Sequence, residues 1–257
     1  MEYMQFQKEF KKLTGIDLGL YKEAQMKRRI TSLYLKRGFN GFKEYGSALQ
    51  RDREMLCELL DRITINVTEF YRNRKRWDLL ETELLPALLS GSRPLKIWSA
   101  ACSTGEEPYT IAMILSKYLP LCSIKILATD LDENVIARAK LGIYPERSLA
   151  ELPGEMKSKY FVQDGAGYQI SKEIIETVQF KKHNLLSDPF ESGFDLIICR
   201  NVLIYFTEDA KNMLYHKFSR ALKNEGIFFI GSTEQIFYSQ QYDLESAGTF
   251  FYRKIQM

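Results

Sequence analysis

Histidine is nearly absent from this chain, with two in 257 residues, and neither His183 nor His216 has the spacing of paired metal ligands. A catalytic zinc site is therefore not expected. The four cysteines, Cys57, Cys102, Cys122 and Cys199, show no C-x-x-C spacing. Three of them sit among apolar residues, and the set reads as small buried side chains in a reducing compartment, not as a disulfide framework. No apolar run approaches the roughly 18 residues of a membrane span. The start, MEYMQFQKEF, carries acids and no apolar core run, so no signal peptide is expected, and the Asn66-Val67-Thr68 sequon reads as accidental. Net charge is +3, too weak to argue for nucleic acid. Apolar residues make up 45% and charged residues 27%, which places the chain among ordinary soluble globular proteins. Its length allows one large domain or two modest ones.

Two patterns divide the chain. Up to about residue 90 the apolar residues recur at helical spacing: Phe6, Phe10 and Leu13, then Met26, Ile30, Leu33 and Tyr34. From Leu95 onward strands and helices alternate. Strands are expected at 96–100, 124–129, 178–182, 194–199, 226–231 and 249–253, and helices at 108–118, 133–141 and 208–222. Short apolar runs separated by helices predict a parallel α/β sheet covered on both faces, and the terminal FFYRK run suits an antiparallel edge strand. The stretch 144–175 breaks the alternation with Pro145, Pro153 and the turn Asp164-Gly165-Ala166-Gly167, and reads as an inserted helix plus small hairpin.

The most telling segment is LKIWSAACSTGEEPYTI, from Leu95 to Ile111. An apolar strand runs into small residues, then Gly105, then Glu106 and Glu107 at a helix start. A pyrophosphate site of the dinucleotide type needs G-x-G-x-x-G, and two glutamates repel phosphate. Small residues admit a ligand close to the backbone, and the acids favour ribose hydroxyls or a cation. A positively charged nucleoside fits, and S-adenosylmethionine (SAM) is one. Ligands of doubly wound sheets bind at the carboxyl ends of strands. Asp130 ends the next strand and is the candidate for the ribose, with Asp132 as the alternative or as the cap of the following helix. The strand Phe194–Cys199 delivers Arg200 and Asn201 to the same edge. Tyr205 follows, as a pocket residue or a plain core tyrosine.

The segments ITINVTEFYR, WSAACSTGEEPYTIA, ATDLDENVIARA, HNLL and FDLIICRNVLIYF resemble, in order, the CheR family of chemotaxis receptor methyltransferases. The resemblance implies an α/β fold: a SAM-dependent methyltransferase (Rossmann-like) sheet domain with an N-terminal all-α domain and a small inserted β subdomain. Expected boundaries are 1–75 for the helical domain, 76–94 for a linker helix, and 95–257 for the methyltransferase domain, with the insert at about 144–175. It further implies methyl transfer from SAM to receptor glutamates, giving methyl esters and S-adenosyl-L-homocysteine. Cofactor contacts carry over to Asn66, Thr68, Arg72, Glu106, Asp130, Asn184, Leu185, Arg200 and Asn201, with Glu107 as the alternative to Glu106. Arg72 and Tyr205 are the candidates for shaping the reaction pocket, and no metal is implied. Residues 66–72 would have to fold back over the cofactor.

Residues 21–37 read as one helix with Lys22, Arg29 and Lys36 along one edge of an apolar stripe and Arg28 further round. This is a solvated face or a docking surface for the glutamate-rich cytoplasmic helices of membrane chemoreceptors. A cytoplasmic monomer with no nucleic-acid partner and no membrane insertion is expected. Rival readings are a SAM enzyme acting on RNA or a small molecule, a NAD-dependent oxidoreductase and a non-catalytic scaffold. The first lacks an aromatic platform and an N/D-P-P-[YFW] motif, and the second lacks the glycines.

Overall fold

A computed structural model describes residues 2–64, 68–91 and 93–255. Contacts divide the chain into two units: Met1–Asn66 with Ile204–Met213, and Val67–Leu203 with Leu214–Met257.

The first unit contains helices α1 (Glu2–Thr14), α2 (Glu23–Lys36), α3 (Phe42–Leu49) and α4 (Arg53–Thr64). Phe6 and Phe10 of α1 are buried with Tyr3, and Phe6 meets Phe42 of α3 at a tilt and stacks with Tyr45 of the same helix. Leu13, the next member of that stripe, is instead 40% exposed. Met26, Ile30, Leu33 and Tyr34 form the buried stripe of α2. The segment 204–213 belongs here because it bonds along residues 20–22. The Lys22 N–H donates to the Tyr205 carbonyl (2.8 Å), the Thr207 N–H to the Leu20 carbonyl (2.9 Å), and the Tyr21 and Phe206 rings meet edge-on at 5.0 Å.

The second unit opens with α5 (Arg74–Leu79), a π-helical stretch (Leu80–Leu84) and α6 (Leu85–Leu89). Phe70, Tyr71, Trp77, Leu80, Leu84 and Leu85 enter the core of the sheet unit. The change of unit therefore falls at 66/67 and not near residue 75. Then come β1 (Ile97–Ala100), α7 (Glu106–Leu115), β2 (Ile126–Asp130), α8 (Glu133–Leu141), β3 (Ile143–Pro145), α9 (Gly154–Tyr160), β4 (Phe161–Asp164), β5 (Gly167–Ile170) and α10 (Lys172–Ile175). β6 (Val178–Lys182), β7 (Phe194–Cys199), α11 (Glu208–Ala221), β8 (Leu222–Ile230), β9 (Leu244–Gly248) and β10 (Phe251–Lys254) complete the order. The main sheet runs β6-β2-β1-β7-β8-β10-β9, parallel through β8 and antiparallel at β10 and β9.

β1 is buried throughout and β7 nearly so, as strands covered on both faces must be. The chain leaves β1 toward β2 and β6, then returns to place β7 on the other side of β1. The order switches at β1, and the carboxyl ends of β1, β2 and β7 border that crevice. The insert is a three-stranded antiparallel sheet, β3-β5-β4, not a lone hairpin: Ile143–Pro145 adds a short strand against β5. All four cysteines are free, but only Cys102 and Cys199 are buried; Cys57 is half-buried and Cys122 is exposed on the turn Leu121–Ser123. No helix among the described residues is long and apolar enough to cross a membrane.

Candidate active site

The turn after β1 is built from backbone conformations that side chains resist. Ala101 (φ 59°) and Ser103 (φ 49°) are left-handed, as is Gly105 (φ 92°). Such residues concentrate where a site over-determines the backbone. A side chain at Gly105 would also meet the Ala139 Cβ and the Tyr109 ring at 3.0 Å, so glycine is required twice over. The turn is pinned to β2 from both sides of the peptide chain. The Cys102 N–H donates to the Thr129 carbonyl (2.9 Å) and the Ser103 N–H to Asp130 Oδ2 (2.8 Å). From the inserted sheet, the Tyr144 hydroxyl donates to the Thr104 carbonyl (2.7 Å).

Asp130 is 6% exposed, and its second oxygen accepts from the Asp132 N–H (3.0 Å). Burial pushes its carboxyl up to about 6 against those backbone donors. Asp132 is the N-cap of α8, accepting from the Asn134 N–H (2.8 Å). Glu106 and Glu107 begin α7 and diverge. Glu106 is 3% exposed and accepts from the Thr104 hydroxyl (2.7 Å). Glu107 accepts from the Ser99 hydroxyl (3.0 Å) and faces the Arg200 guanidinium at 3.7 Å. Burial raises both carboxyls to about 7, with Thr104 opposing at Glu106 and Arg200 opposing at Glu107.

Arg200 leaves β7 with its side chain 3% exposed, over the rings of Phe229 (4.6 Å) and Trp77 (5.3 Å). It donates to the Arg72 carbonyl (2.9 Å). That bond, with the Tyr71 N–H on the Thr110 hydroxyl (3.2 Å), holds the 68–73 segment within the sheet unit. Asn201 follows in a left-handed conformation (φ 60°). After β6, the His183 N–H donates to the Asp130 carbonyl (2.8 Å) and so brings Asn184 to the end of β2. The Asn184 side-chain oxygen accepts from the Leu186 N–H (3.0 Å), so its NH2 group is the donor that remains for a ligand. Leu185 is buried, and its carbonyl accepts from Lys217 (2.8 Å).

Thr68 is half-buried and Asn66 lies outside the described residues. Tyr205 belongs to the helical unit, where the Arg29 guanidinium lies 4.9 Å from its ring centre. The residue that single-segment reading missed is Glu234, which bonds the Asn201 N–H. Its signal was present: an acid just past a glycine that closes an apolar strand, IFFIGSTE.

Two buried polar atoms at this edge, the Ser103 hydroxyl and Arg200 Nε, have no hydrogen-bond partner. Together with the buried carboxyls of Glu106 and Asp130 and the half-buried Glu107 they fit a polar ligand that offers both donors and an acceptor, and the acids disfavour phosphate. The model of the CheR methyltransferase SAM binding domain matches residues 66–251, and that of the CheR methyltransferase all-alpha domain matches residues 1–64. The chain belongs to the CheR methyltransferase family. SAM is its cofactor, and the match of both CheR regions reproduces the fold class read from the sequence. The chain is 45% identical to the chemotaxis protein methyltransferase of Listeria monocytogenes, over 98% of this chain and 97% of that one. It is 41% identical to the chemotaxis protein methyltransferase of Borreliella burgdorferi, over 86% and 83%. This CheR protein is thus a SAM-dependent methyltransferase of chemotaxis.

Proposed function

We propose that the protein methylates glutamate side-chain carboxylates on the cytoplasmic helices of chemoreceptors, forming the methyl esters of sensory adaptation. The observation that supports this most is the full-length kinship with chemotaxis methyltransferases, joined to a buried acid-and-arginine edge suited to a cationic nucleoside. Bound SAM supplies an electrophilic methyl on a positively charged sulfur. Asp130 would hold the ribose hydroxyls, the Asn184 NH2 and the Leu185 amide the adenine. Asn66, Thr68, Arg72, Arg200 and Asn201 complete the proposed contacts. Glu106, engaged only by Thr104 in the bonds described above, is assigned to the cofactor. Glu107 is assigned as counter-ion to Arg200.

A glutamate of ordinary pKa near 4.3 is ionised at pH 7. Its carboxylate oxygen forms an O–C bond as the S–C pair returns to sulfur, and no proton moves, so the chain needs no general base. The charges cancel as the bond forms, so orientation and exclusion of water do most of the work; well-oriented pairs gain roughly 7–11 kcal/mol this way. Arg72 is assigned to the acceptor pocket. For Tyr205 that assignment rests on the resemblance of its segment alone. The receptor helix would dock on α2, where Arg28 and Lys36 are exposed and Lys22 and Arg29 half-buried, in the cytoplasm and with the enzyme as a monomer.

The test is transfer of labelled methyl from SAM to membranes containing chemoreceptors, followed by mild alkali. Alkali-labile label on receptor glutamates is the expected result. Tight SAM binding without such label would overturn the acceptor assignment.

A further inference from the structure

Glu234 stands just beyond β8 and is 4% exposed. One of its carboxylate oxygens, Oε2, accepts from the Gly231 N–H (2.7 Å) and from the Asn201 N–H (3.0 Å). β7 and β8 are parallel neighbours in a register that pairs Cys199 with Ile230, which brings Gly231 opposite Arg200 and close to the Asn201 nitrogen. At the end of a parallel pair the outgoing N–H groups have no further rung to donate to. The carboxylate supplies that rung for both strands. A turn closed by the Glu234 N–H on the Gly231 carbonyl (3.0 Å) brings it back to them. The fit is tight: a Cβ at Gly231 would lie 2.6 Å from the Asn201 nitrogen, 2.6 Å from Glu234 Oε2 and 3.0 Å from Asn201 Nδ2.

We infer that Glu234 is a positioning residue for cofactor binding: it fixes the left-handed backbone at Asn201 and thereby aims the Asn201 side chain. This rests on the proposed role of Asn201 as a SAM contact. Removing the acceptor would leave two N–H groups without their bonds at a strained residue.

The test is SAM affinity, by calorimetry on the full chain, for Glu234→Asp, Glu234→Gln, Asn201→Ala and the double variant E234D/N201A. The shorter aspartate should weaken binding about tenfold or more, while glutamine, which keeps an acceptor at the same reach, stays within about threefold. The double variant should bind no worse than N201A alone, because both changes remove one interaction. Unchanged affinity in E234D, or losses that add in the double variant, would overturn the inference. Should E234D not fold, hydrogen exchange in the unaltered protein decides. SAM should slow exchange at the Asn201 and Gly231 amides together, and unchanged exchange would overturn the assignment. An N201A variant that binds SAM normally would sink both this inference and the role given to Asn201. The labelled-methyl test would still judge the acceptor separately.

Discussion

The carboxyl edge of the large sheet and the basic face of α2 both carry charge, but they use it in opposite ways. At the sheet edge Glu106, Asp130 and Arg200 are taken out of water, Glu107 is half-buried beside them, and all four are held by bonds to neighbouring backbone and hydroxyls. On α2, Arg28 and Lys36 stand in solvent. Breaking a buried charge pair is costly whatever the pair's net worth, because removing one partner leaves the other stranded. Exposed charge is worth little per residue and acts mainly on the rate of encounter. Even that face is less uniform than one helix suggests. Arg29 is laid over Tyr205, and α4 brings Glu58 and Asp61 to a cleft of about 350 Å³ beside Lys36.

The contrast predicts a ladder of effects. Arg200→Ala should have the largest, lowering the unfolding free energy in urea by about 3–5 kcal/mol, because Glu107 loses its buried counter-charge. Arg200→Met with Glu107→Gln should recover part of it; no recovery would mean that packing on Trp77 and Phe229 dominates. Asp130→Asn keeps only one acceptor oxygen for the Ser103 and Asp132 N–H groups. It should cost about 1–3 kcal/mol in the same melt and weaken SAM binding about tenfold.

Acidity gives the third prediction. The folded Glu106, Glu107 and Asp130 carboxyls sit above their unfolded values, at about 7, 7 and 6. Between the ordinary carboxylate range and pH 7 the folded state therefore binds more protons, so their contribution to apoprotein stability falls as pH rises. A cationic ligand favours the ionised forms. SAM affinity should climb from pH 6 to pH 7.5 with proton release, read by calorimetry in buffers of different ionisation enthalpy. A flat profile would break the assignment of these acids to the cofactor edge.

The smallest effect belongs to α2. Charge reversal at Arg28 and Lys36 should slow receptor methylation at low salt by about 0.2–1 kcal/mol per lost pair. The deficit should shrink as salt rises, and SAM affinity should not move. A loss that salt does not change would point to packing instead of steering.

How much of this the sequence displayed depended on range. Val178–Lys182, Phe194–Cys199 and Glu133–Leu141 fall where local pattern places them, because apolar runs there are bounded by turn residues and caps. Leu244–Gly248 escaped, since LESAG has almost no strand pattern and is held by β10. The Ser103–Asp130 contact follows from the order of motifs, as the acid ends the strand beside the turn. The bond from Asn201 to Glu234 joins residues whose segments look unrelated until β7 and β8 are neighbours. The seat of Arg29 on Tyr205 likewise needs a residue from the far half of the chain, which no helical wheel contains.

The helical unit takes in Ile204–Met213, and Leu20, Tyr21 and Lys22 bond to or meet edge-on Thr207, Phe206 and Tyr205. It is therefore not a cassette. A gene fragment ending near residue 66 would encode four helices with one wall missing, and their apolar seam would invite self-association. Moving the helical unit of one such enzyme onto another would require transferring two separated pieces of chain together.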